Sequence, residues 1–247
     1  MRMEFLNTQV DNLTMDEALA KADQLIAENK TAYVVTPNVD HIVVMEKDEE
    51  FSQLYREADL ILTDGKPLIW ISKLYGTPIK EKISGSDFFP QLCDLATRKG
   101  YSIFILGAAE GVAAKAAENL QKKYPGLQIA GTYSPPLGFE KDEIQLQKIA
   151  EIIAQADPTI LAVSLGSPKG EKFLYRYKDV YGVPLNISIG ATIDFEAGNV
   201  KRAPKWMSDH GLEWLYRMLK EPKRLAKRYI VDAIEIAPIV WKYRKRN

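Results

Sequence analysis

The sequence predicts an α/β protein with a mainly parallel sheet covered by helices on both faces, followed by a C-terminal helical appendage. Two periodic patterns alternate along the first 198 residues: short apolar segments of strand length, and longer segments whose apolar residues recur every three or four positions. Such alternation is typical of a parallel sheet covered on both faces. Near residues 198–204 the charge and the aromatic content change together, which indicates a boundary between a core, residues 1–198, and an appendage, residues 199–247.

The predicted strands are Ala32–Thr36, Leu60–Thr63, Ser102–Leu106, Gln128–Gly131, Ile160–Leu165 and Asn186–Ile189. The predicted helices of the core are Asp16–Asn29, Val39–Arg56, Pro67–Tyr75, Asp87–Lys99, Glu110–Lys123, Lys141–Gln155 and Lys169–Tyr177. Thr14 and Glu17 have the spacing of a capping box at the start of the first helix.

The appendage has a composition of its own. Val200–Asn247 contains 13 Lys/Arg and 5 Asp/Glu, a formal charge of +8, and three of the four tryptophans, whereas the preceding residues carry a charge of −8. A helix is predicted at Gly211–Lys220, and a second one opens at Pro222 and ends or kinks at Pro238. Basic residues mixed with aromatic ones favour a surface that meets an anionic, partly apolar partner such as a membrane. A solvated basic face, or a helix hairpin packed on the core or on another subunit, is the alternative.

Composition excludes several classes of protein. A single cysteine, Cys93, cannot form an intrachain disulfide, and no apolar run reaches the about 18–20 residues of a membrane span. The N-terminus lacks the apolar segment of a signal peptide. The two histidines, His41 and His210, have no ligand-like spacing, so we expect no metal site. The basic run is short and has no recognition motif beside it, which disfavours nucleic acid.

In open parallel sheets, ligands bind outside the carboxyl ends of the strands, and here those ends are rich in small and polar residues. Asp64 directly follows an apolar strand and precedes a glycine. If partial burial raises the pKa of its carboxyl group towards neutrality, Asp64 can serve as a general base. A turn aspartate that caps the next helix fits the sequence equally well. Gly107 and Gly111 precede a helix, which suits either a bound phosphate or a tight strand–helix turn. Tyr133 and Lys169 follow two further strands.

Several motifs together resemble one family, the WecG/TagA/CpsF glycosyltransferases, also called glycosyltransferase family 26. The motifs, in order, are Thr36-Pro37-Asn38-Val39-Asp40-His41, Asp64-Gly65, Gly85-Ser86-Asp87, Gly166-Ser167-Pro168-Lys169, Gly190-Ala191-Thr192-Ile193-Asp194-Phe195, Arg202-Ala203-Pro204-Lys205-Trp206, Gly211–Arg217 and Glu221–Leu225. The resemblance runs from about residue 12 to residue 229.

The resemblance implies a Rossmann-like fold of the GT-E type and an inverting, metal-independent transfer that needs no cofactor. N-acetylmannosamine would move from its UDP carrier to the C4 hydroxyl of N-acetylglucosamine on diphospho-undecaprenol. It also implies a dimer or trimer, located in the cytoplasm and attached to the inner face of the cell membrane through the appendage.

The resemblance also assigns roles to residues. Asp64 corresponds to the general base, with Thr36 beside it, and Asn38 and Asp194 line the same pocket. Lys82, Gly107, Tyr133 and Lys169 are further substrate-binding candidates. Arg217, Arg224 and Arg228 occupy the stretch of the appendage that brings arginines over the active site.

This sequence departs from the family pattern at two positions. Gly170 stands where relatives usually have a pocket glutamine, and Lys82 stands where they commonly have arginine, which binds phosphate oxygens in pairs. The alternatives are therefore a different UDP-sugar donor, or a non-catalytic protein that binds a nucleotide sugar or a lipid diphosphate.

Overall fold

A computed structural model describes residues 1–204, 206–207 and 210–244, apart from the side chain of Arg224. Within these residues, an antiparallel hairpin of β1 (Arg2–Phe5) and β2 (Thr8–Asp11) precedes a six-stranded sheet. The strands of that sheet are β3 (Ala32–Val35), β4 (Leu60–Ile61), β5 (Ser102–Gly107), β6 (Gln128–Tyr133), β7 (Ile160–Ser164) and β8 (Leu185–Ser188). They lie in the order β4-β3-β8-β7-β5-β6, and neighbouring strands are parallel. The residues after each strand therefore share one edge of the sheet.

The helices of the described chain connect these strands and then form the appendage. In the core they are α1 (Met15–Ala27), α2 (Val39–Met45), α3 (Glu49–Arg56), α4 (Lys66–Leu74), α5 (Gly85–Lys99), α6 (Val112–Lys123), α7 (Glu143–Ala156), α8 (Lys169–Tyr181) and α9 (Thr192–Glu196). The appendage contains α10 (Glu213–Lys220) and α11 (Pro222–Tyr243). The capping box of Thr14 and Glu17 at the start of α1 is confirmed.

The sheet is the middle layer of three. Helices α1, α5, α6 and α9 pack on one face with strand residues such as Val34, and helices α2, α3, α4, α7, α8 and the end of α11 pack on the other with residues such as Tyr33 and Val35. Successive side chains of a strand point to opposite faces, so β3, β4, β5 and β7 contribute buried apolar residues to both cores, whereas β8 contributes only Leu185 and Ile187, on the first face. The predicted α/β class, with helices on both faces of a parallel sheet, is confirmed.

The single helix predicted over Val39–Arg56 is wrong. The chain forms two helices, because the side chain of Asp48 accepts a hydrogen bond from the backbone N–H of Phe51 and starts α3 as a new N-cap. Acidic residues compete well for such capping positions. The periodicity of the apolar residues continues across the break, which is why the sequence pattern did not reveal it.

The prediction that Pro238 ends or kinks the second appendage helix also fails in part, since α11 continues to Tyr243. Pro238 is exposed, whereas Ile239 and Tyr243 beyond it are buried against the core. The hydroxyl of Tyr75 donates a hydrogen bond to the carbonyl oxygen of Val240, at 2.6 Å. These tertiary contacts hold the last turns in place after the proline removes one backbone donor.

The appendage packs back on the core, chiefly on α2. Leu225 is buried in the contact, and ion pairs join Lys47 to Glu235 and Lys242 to Glu46. The start of α11 at Pro222 is confirmed. None of the helices in the described chain combines the length and apolar character that a membrane crossing requires.

Candidate active site

A cavity of about 440 Å³ lies outside the carboxyl ends of β3 and β4, where the appendage covers the sheet edge. The core contributes the turns after the two strands and the start of α4, and the appendage contributes α10 and α11. Of the predicted site residues, Asn38, Asp64, Lys82, Arg217 and Arg228 line this cavity together. The fold thus brings together side chains that are up to 190 positions apart in the sequence.

Asp64 lies at the carboxyl edge of the sheet. Its backbone N–H donates a hydrogen bond to the carbonyl oxygen of Pro37 at 2.8 Å, which holds it there. Burial raises the pKa of its carboxyl group from 3.8 to about 6. The positive charges of Lys82 and Arg217 act in the opposite direction, while Asp87 and Glu213 raise the pKa further. A carboxylate with this pKa is ionised at neutral pH and can still accept a proton, as a general base must.

Lys82 is fixed beside this carboxylate through Asp87. Asp87 forms an ion pair with Lys82 and accepts hydrogen bonds from the Ser84 hydroxyl at 2.7 Å and from Arg202 at 2.8 Å. Burial alone would raise the pKa of Asp87, but the charge of Lys82 and these hydrogen bonds outweigh it and lower the pKa to about 2. Asp87 is therefore a permanent anion that anchors two cations next to the site.

Asn38 is positioned by a capping box at the start of α2. Its side-chain oxygen accepts from the backbone N–H of His41 at 3.3 Å, and Nδ1 of His41 accepts from the backbone N–H of Asn38 at 3.1 Å. Burial and the charge of Arg228 lower the pKa of His41 to about 3, so the ring is neutral and Nδ1 is able to accept. This arrangement leaves the side-chain N–H groups of Asn38 available to a ligand.

Thr36 lies at the carboxyl end of β3, two residues before Asn38, but outside the lining of the described cavity. A Cβ atom on Gly85 would lie 3.5 Å from the Thr36 hydroxyl oxygen. The start of α5 therefore packs beside this hydroxyl, at a distance that would also accommodate a Cβ atom.

Arg228 of α11 lies between two carboxyl groups. Its guanidinium is 3.1 Å from Asp40 of α2, and its Nε is 3.8 Å from Asp232. Burial and the negative charge of Asp40 raise the pKa of Asp232 to about 6. This cluster joins the appendage to the core at the edge of the cavity. The side chain of Arg224, one turn earlier on α11, lies outside the described part of the chain.

The remaining predicted residues lie outside this cavity, near the carboxyl ends of the other four strands or, for Asp194, on α9. Gly107 is packed so tightly that a Cβ atom would lie 2.3 Å from the carbonyl oxygen of Ser164. The hydroxyl of Tyr133 donates to Gln145 at 3.0 Å, and Lys169 pairs with Glu140 at 2.8 Å. The backbone oxygen of Asp194 accepts from the N–H groups of the two residues 199 and 200.

Gly170, where the family resemblance leads us to expect glutamine, is buried and does not line the described cavity. A Cβ atom there would lie 3.1 Å from the hydroxyl oxygen of Ser188, which donates to Glu171 at 3.0 Å. The close packing of Ser188 takes up the space that a larger side chain would need at its base.

Sequence reasoning missed several lining residues, among them Asp40, Lys66, Trp70, Glu213 and Asp232. A signal existed for Asp40 and Glu213, which stand inside two of the family motifs, and for Asp232, one of two acids in a helix that is otherwise basic. Among the described residues, no three His, Cys, Asp or Glu side chains lie close enough together to hold a metal ion.

Comparison with known proteins supports the family resemblance that the sequence motifs indicated. The sequence profile of the glycosyl transferase WecG/TagA/CpsF family matches residues 3–247. The chain is 33% identical over 223 residues to the N-acetylglucosaminyldiphosphoundecaprenol N-acetyl-beta-D-mannosaminyltransferase of Bacillus spizizenii (strain ATCC 23059 / NRRL B-14472 / W23), covering 90% of this chain and 83% of that protein. It is also 33% identical over 193 residues to the protein of the same name from Bacillus subtilis (strain 168), covering 78% and 73% of the two chains. The chain therefore belongs to the WecG/TagA/CpsF family and is a glycosyltransferase.

Proposed function

We propose that this enzyme transfers N-acetylmannosamine from UDP-N-acetylmannosamine to the C4 hydroxyl of N-acetylglucosaminyl-diphospho-undecaprenol. The names of the two Bacillus relatives support the reaction. The observation that carries the proposal is the position of Asp64: a carboxyl group with a raised pKa, in a cavity that also contains Lys82 and Arg217.

In the proposed mechanism, Asp64 accepts the proton of the acceptor hydroxyl as that oxygen attacks C1 of the donor sugar. The bond between C1 and the β-phosphate oxygen of UDP breaks on the opposite face, so the configuration at C1 is inverted. UDP leaves with the electron pair of that bond. Cationic side chains stabilise the charge that develops on the diphosphate, which gives this transfer a route that does not require a metal ion.

Two groups of core residues support the substrates. Thr36 and Asn38 flank the base, and Asn38 has side-chain donors for sugar oxygens. The nucleotide lies along the same sheet edge, near Gly107, Tyr133, Lys169 and Asp194. Gly107 is the last residue of β5, before the turn that leads into α6, and phosphates commonly bind at such a turn before a helix.

The appendage supplies the remaining cations. Arg217 stacks over the ring of Phe195 with its guanidinium carbon 5.8 Å from the ring centre, and its Nε is buried without a hydrogen-bond partner among the described residues. It is therefore the cation best placed to meet the leaving diphosphate. Arg228 and Arg224 are the further candidates, and Arg228 would have to exchange Asp40 for a phosphate oxygen.

The appendage also supports attachment to the inner face of the cytoplasmic membrane. Its outer side exposes Trp206, Leu219, Ile230, Ile234 and Trp241, mixed with basic residues. Aromatic and aliphatic side chains beside cations suit the headgroup region of an anionic bilayer. We also propose that the protein forms a homo-oligomer, a dimer or trimer. Light scattering tests this by measuring the molar mass in solution.

The experiment is product analysis with three donors, UDP-N-acetylmannosamine, UDP-N-acetylmannosaminuronic acid and UDP-glucose, and a short-chain lipid-diphospho-N-acetylglucosamine acceptor. We expect a disaccharide lipid with a β-1,4 linkage from the first donor at a rate at least tenfold above the other two. If another donor is used at a higher rate, the sugar of that donor, and not N-acetylmannosamine, is the one transferred. Binding of UDP without transfer from any donor would instead show a non-catalytic binding protein.

A further inference from the structure

The cations of the cavity differ in whether an acid already neutralises them. Lys82 is paired with Asp87, and Arg228 is paired with Asp40. Lys66 and Arg217 also line the cavity, and none of the carboxylates in the described part of the chain lies within ion-pair distance of either. Arg217 is already assigned to the leaving diphosphate of the donor. Lys66 is therefore a cavity cation to which neither a partner nor a role has been given.

Lys66 is held in the cavity wall by the appendage. It is the first residue of α4, and Gly211 packs directly on its aliphatic stem, since a Cβ atom on Gly211 would lie 2.8 Å from both Cβ and Cγ of Lys66. Gly211 has a positive φ of 75°, which glycine adopts without strain. The turn before α10 thus covers the stem of Lys66, a residue that also lines the cavity.

One side of α4 carries a cation at its start and two exposed apolar side chains after it. Lys66, Trp70 and Leu74 are four residues apart, so their side chains follow one another on the same side of the helix. Lys73 is also on this side and exposed, but unlike Lys66 and Trp70 it does not line the cavity. Trp70 lines the cavity and is 53% exposed, and Leu74 beyond it is 75% exposed. The rise of an α-helix places Trp70 about 6 Å and Leu74 about 12 Å further along the axis than Lys66.

The order of these groups matches the order of chemical groups in a lipid-linked sugar. Asp64, two residues before Lys66, meets the sugar hydroxyl, and the diphosphate and the hydrocarbon chain follow the sugar in the acceptor. Ile236 of α11 also lines the cavity, and Ile234 on that helix is exposed. The end of α4 contacts the same helix, since the hydroxyl of Tyr75 donates to the carbonyl oxygen of Val240. A chain that leaves the cavity along α4 therefore reaches the apolar side of the appendage.

We propose that the face of α4 formed by Lys66, Trp70 and Leu74 is the binding track for the polyprenyl diphosphate of the acceptor. Lys66 binds the diphosphate, and Trp70 and Leu74 contact the first isoprenoid units. The identity of the ligand rests on the proposed function, but binding by this track is separable from catalysis and is tested without a sugar donor.

The experiment measures binding of farnesyl diphosphate and of inorganic diphosphate to the full chain by isothermal titration calorimetry. We expect Lys66→Gln to weaken binding of both ligands by at least about tenfold, the scale of one lost hydrogen bond to a charged group. Trp70→Ala and Leu74→Ser are expected to weaken farnesyl diphosphate by about three- to tenfold each and to leave inorganic diphosphate unchanged.

Matched controls separate the track from general effects of charge and surface. Lys73→Gln removes the same charge from an exposed position of the same helix, and Leu137→Ser removes an exposed leucine on a distant loop. Neither is expected to change binding by more than about twofold. An unchanged affinity in Lys66→Gln, equal effects of Lys73→Gln, or no binding of farnesyl diphosphate by the unmodified protein would each overturn the proposal.

Kinetics then show whether the track serves the acceptor. With the donor and the short-chain acceptor, Lys66→Gln is expected to raise the KM for the acceptor by at least about tenfold and to leave the KM for the UDP-sugar within twofold. A rise only in the KM for the UDP-sugar would assign Lys66 to the donor and contradict the proposal. If the unmodified protein binds farnesyl diphosphate but transfers no sugar, the proposed function fails while the binding track stands.

Discussion

Replacing Asp64 by asparagine should make the protein more stable and less active at the same time. In the folded protein burial raises the pKa of this carboxyl group from 3.8 to about 6, so folding is opposed wherever the unfolded chain holds the ionised form. From these two pKa values, the ionised carboxylate opposes folding by about 1.6 kcal/mol at pH 5 and about 3 kcal/mol at pH 7.5. The effect vanishes below pH 3.8, where both states are protonated, and levels off above pH 6. Asparagine has a similar shape and no charge, so this unfavourable contribution to the free energy of folding is absent in the variant.

The assay is urea denaturation of the unmodified protein and of Asp64→Asn at pH 5 and at pH 7.5, together with turnover at pH 7.5. Because Asp64 keeps some contact with solvent, about 3 kcal/mol is the largest gain in the free energy of unfolding that we expect at pH 7.5. The gain should be smaller at pH 5. Turnover should fall by roughly 10²–10⁴-fold, the scale of a lost general base, while UDP still binds. An asparagine variant that is no more stable than the unmodified protein at pH 7.5 would refute the reasoning about burial, and near-normal turnover would remove Asp64 from the mechanism.

Three further predictions concern the same region. The kcat/KM of the unmodified protein should fall about tenfold per pH unit below about pH 6, as Asp64 becomes protonated, in a pH–rate profile. Gly211→Ala should destabilise the protein by about 1–2 kcal/mol in urea denaturation and raise the KM for the acceptor, because the added Cβ lies too close to Lys66 and the φ is positive. Asp40→Asn should loosen the docking of α11, because Arg228 loses the nearer of its two carboxylates and the only one of them on the core, and should increase tryptic cleavage of the appendage at least about threefold.

Each of these has a control or a result that would contradict it. A pH–rate profile in which kcat/KM falls only below about pH 4 would show that burial does not raise the pKa of Asp64. Gly76→Ala also places alanine at a positive φ, but with no atom within 4 Å, so an equal effect would exclude the contact with Lys66 as the cause. Asp94→Asn breaks an exposed ion pair with Arg98, which is worth little, and equal cleavage in that variant would argue against a specific docking role for Asp40.

The sequence was sufficient to predict the part of the site that comes from strand ends. Asp64 directly follows a predicted strand, Asn38 lies three residues after the end of β3, and parallel strands necessarily bring such positions to one edge. The basic, aromatic composition marked the appendage as a whole, whereas Arg217, Arg228 and the pocket role of Asn38 were predicted from the family resemblance. Local pattern and the topology that it implies therefore predicted where the site lies, and the resemblance predicted which of its residues take part.

The residues that the sequence did not predict depend on contacts between distant segments. Asp40 and Asp232 form one cluster only because α11 packs on α2, and Lys66 becomes part of the cavity wall only because Gly211 packs on its stem. The helix continues past Pro238 for the same reason, since burial of residues beyond the proline outweighs the local preference to stop. Propensity and periodicity carry no information about such contacts.

Acceptor-dependent release of UDP from UDP-N-acetylmannosamine is the measurement that tests the central claim most directly. It compares the unmodified protein with Asp64→Asn, with and without a short-chain lipid-diphospho-N-acetylglucosamine. We predict release that requires the acceptor and that falls by at least about a hundredfold in the asparagine variant. Release that is equally fast without the acceptor, or that is unaffected by Asp64→Asn, would contradict a transferase in which Asp64 activates the acceptor hydroxyl.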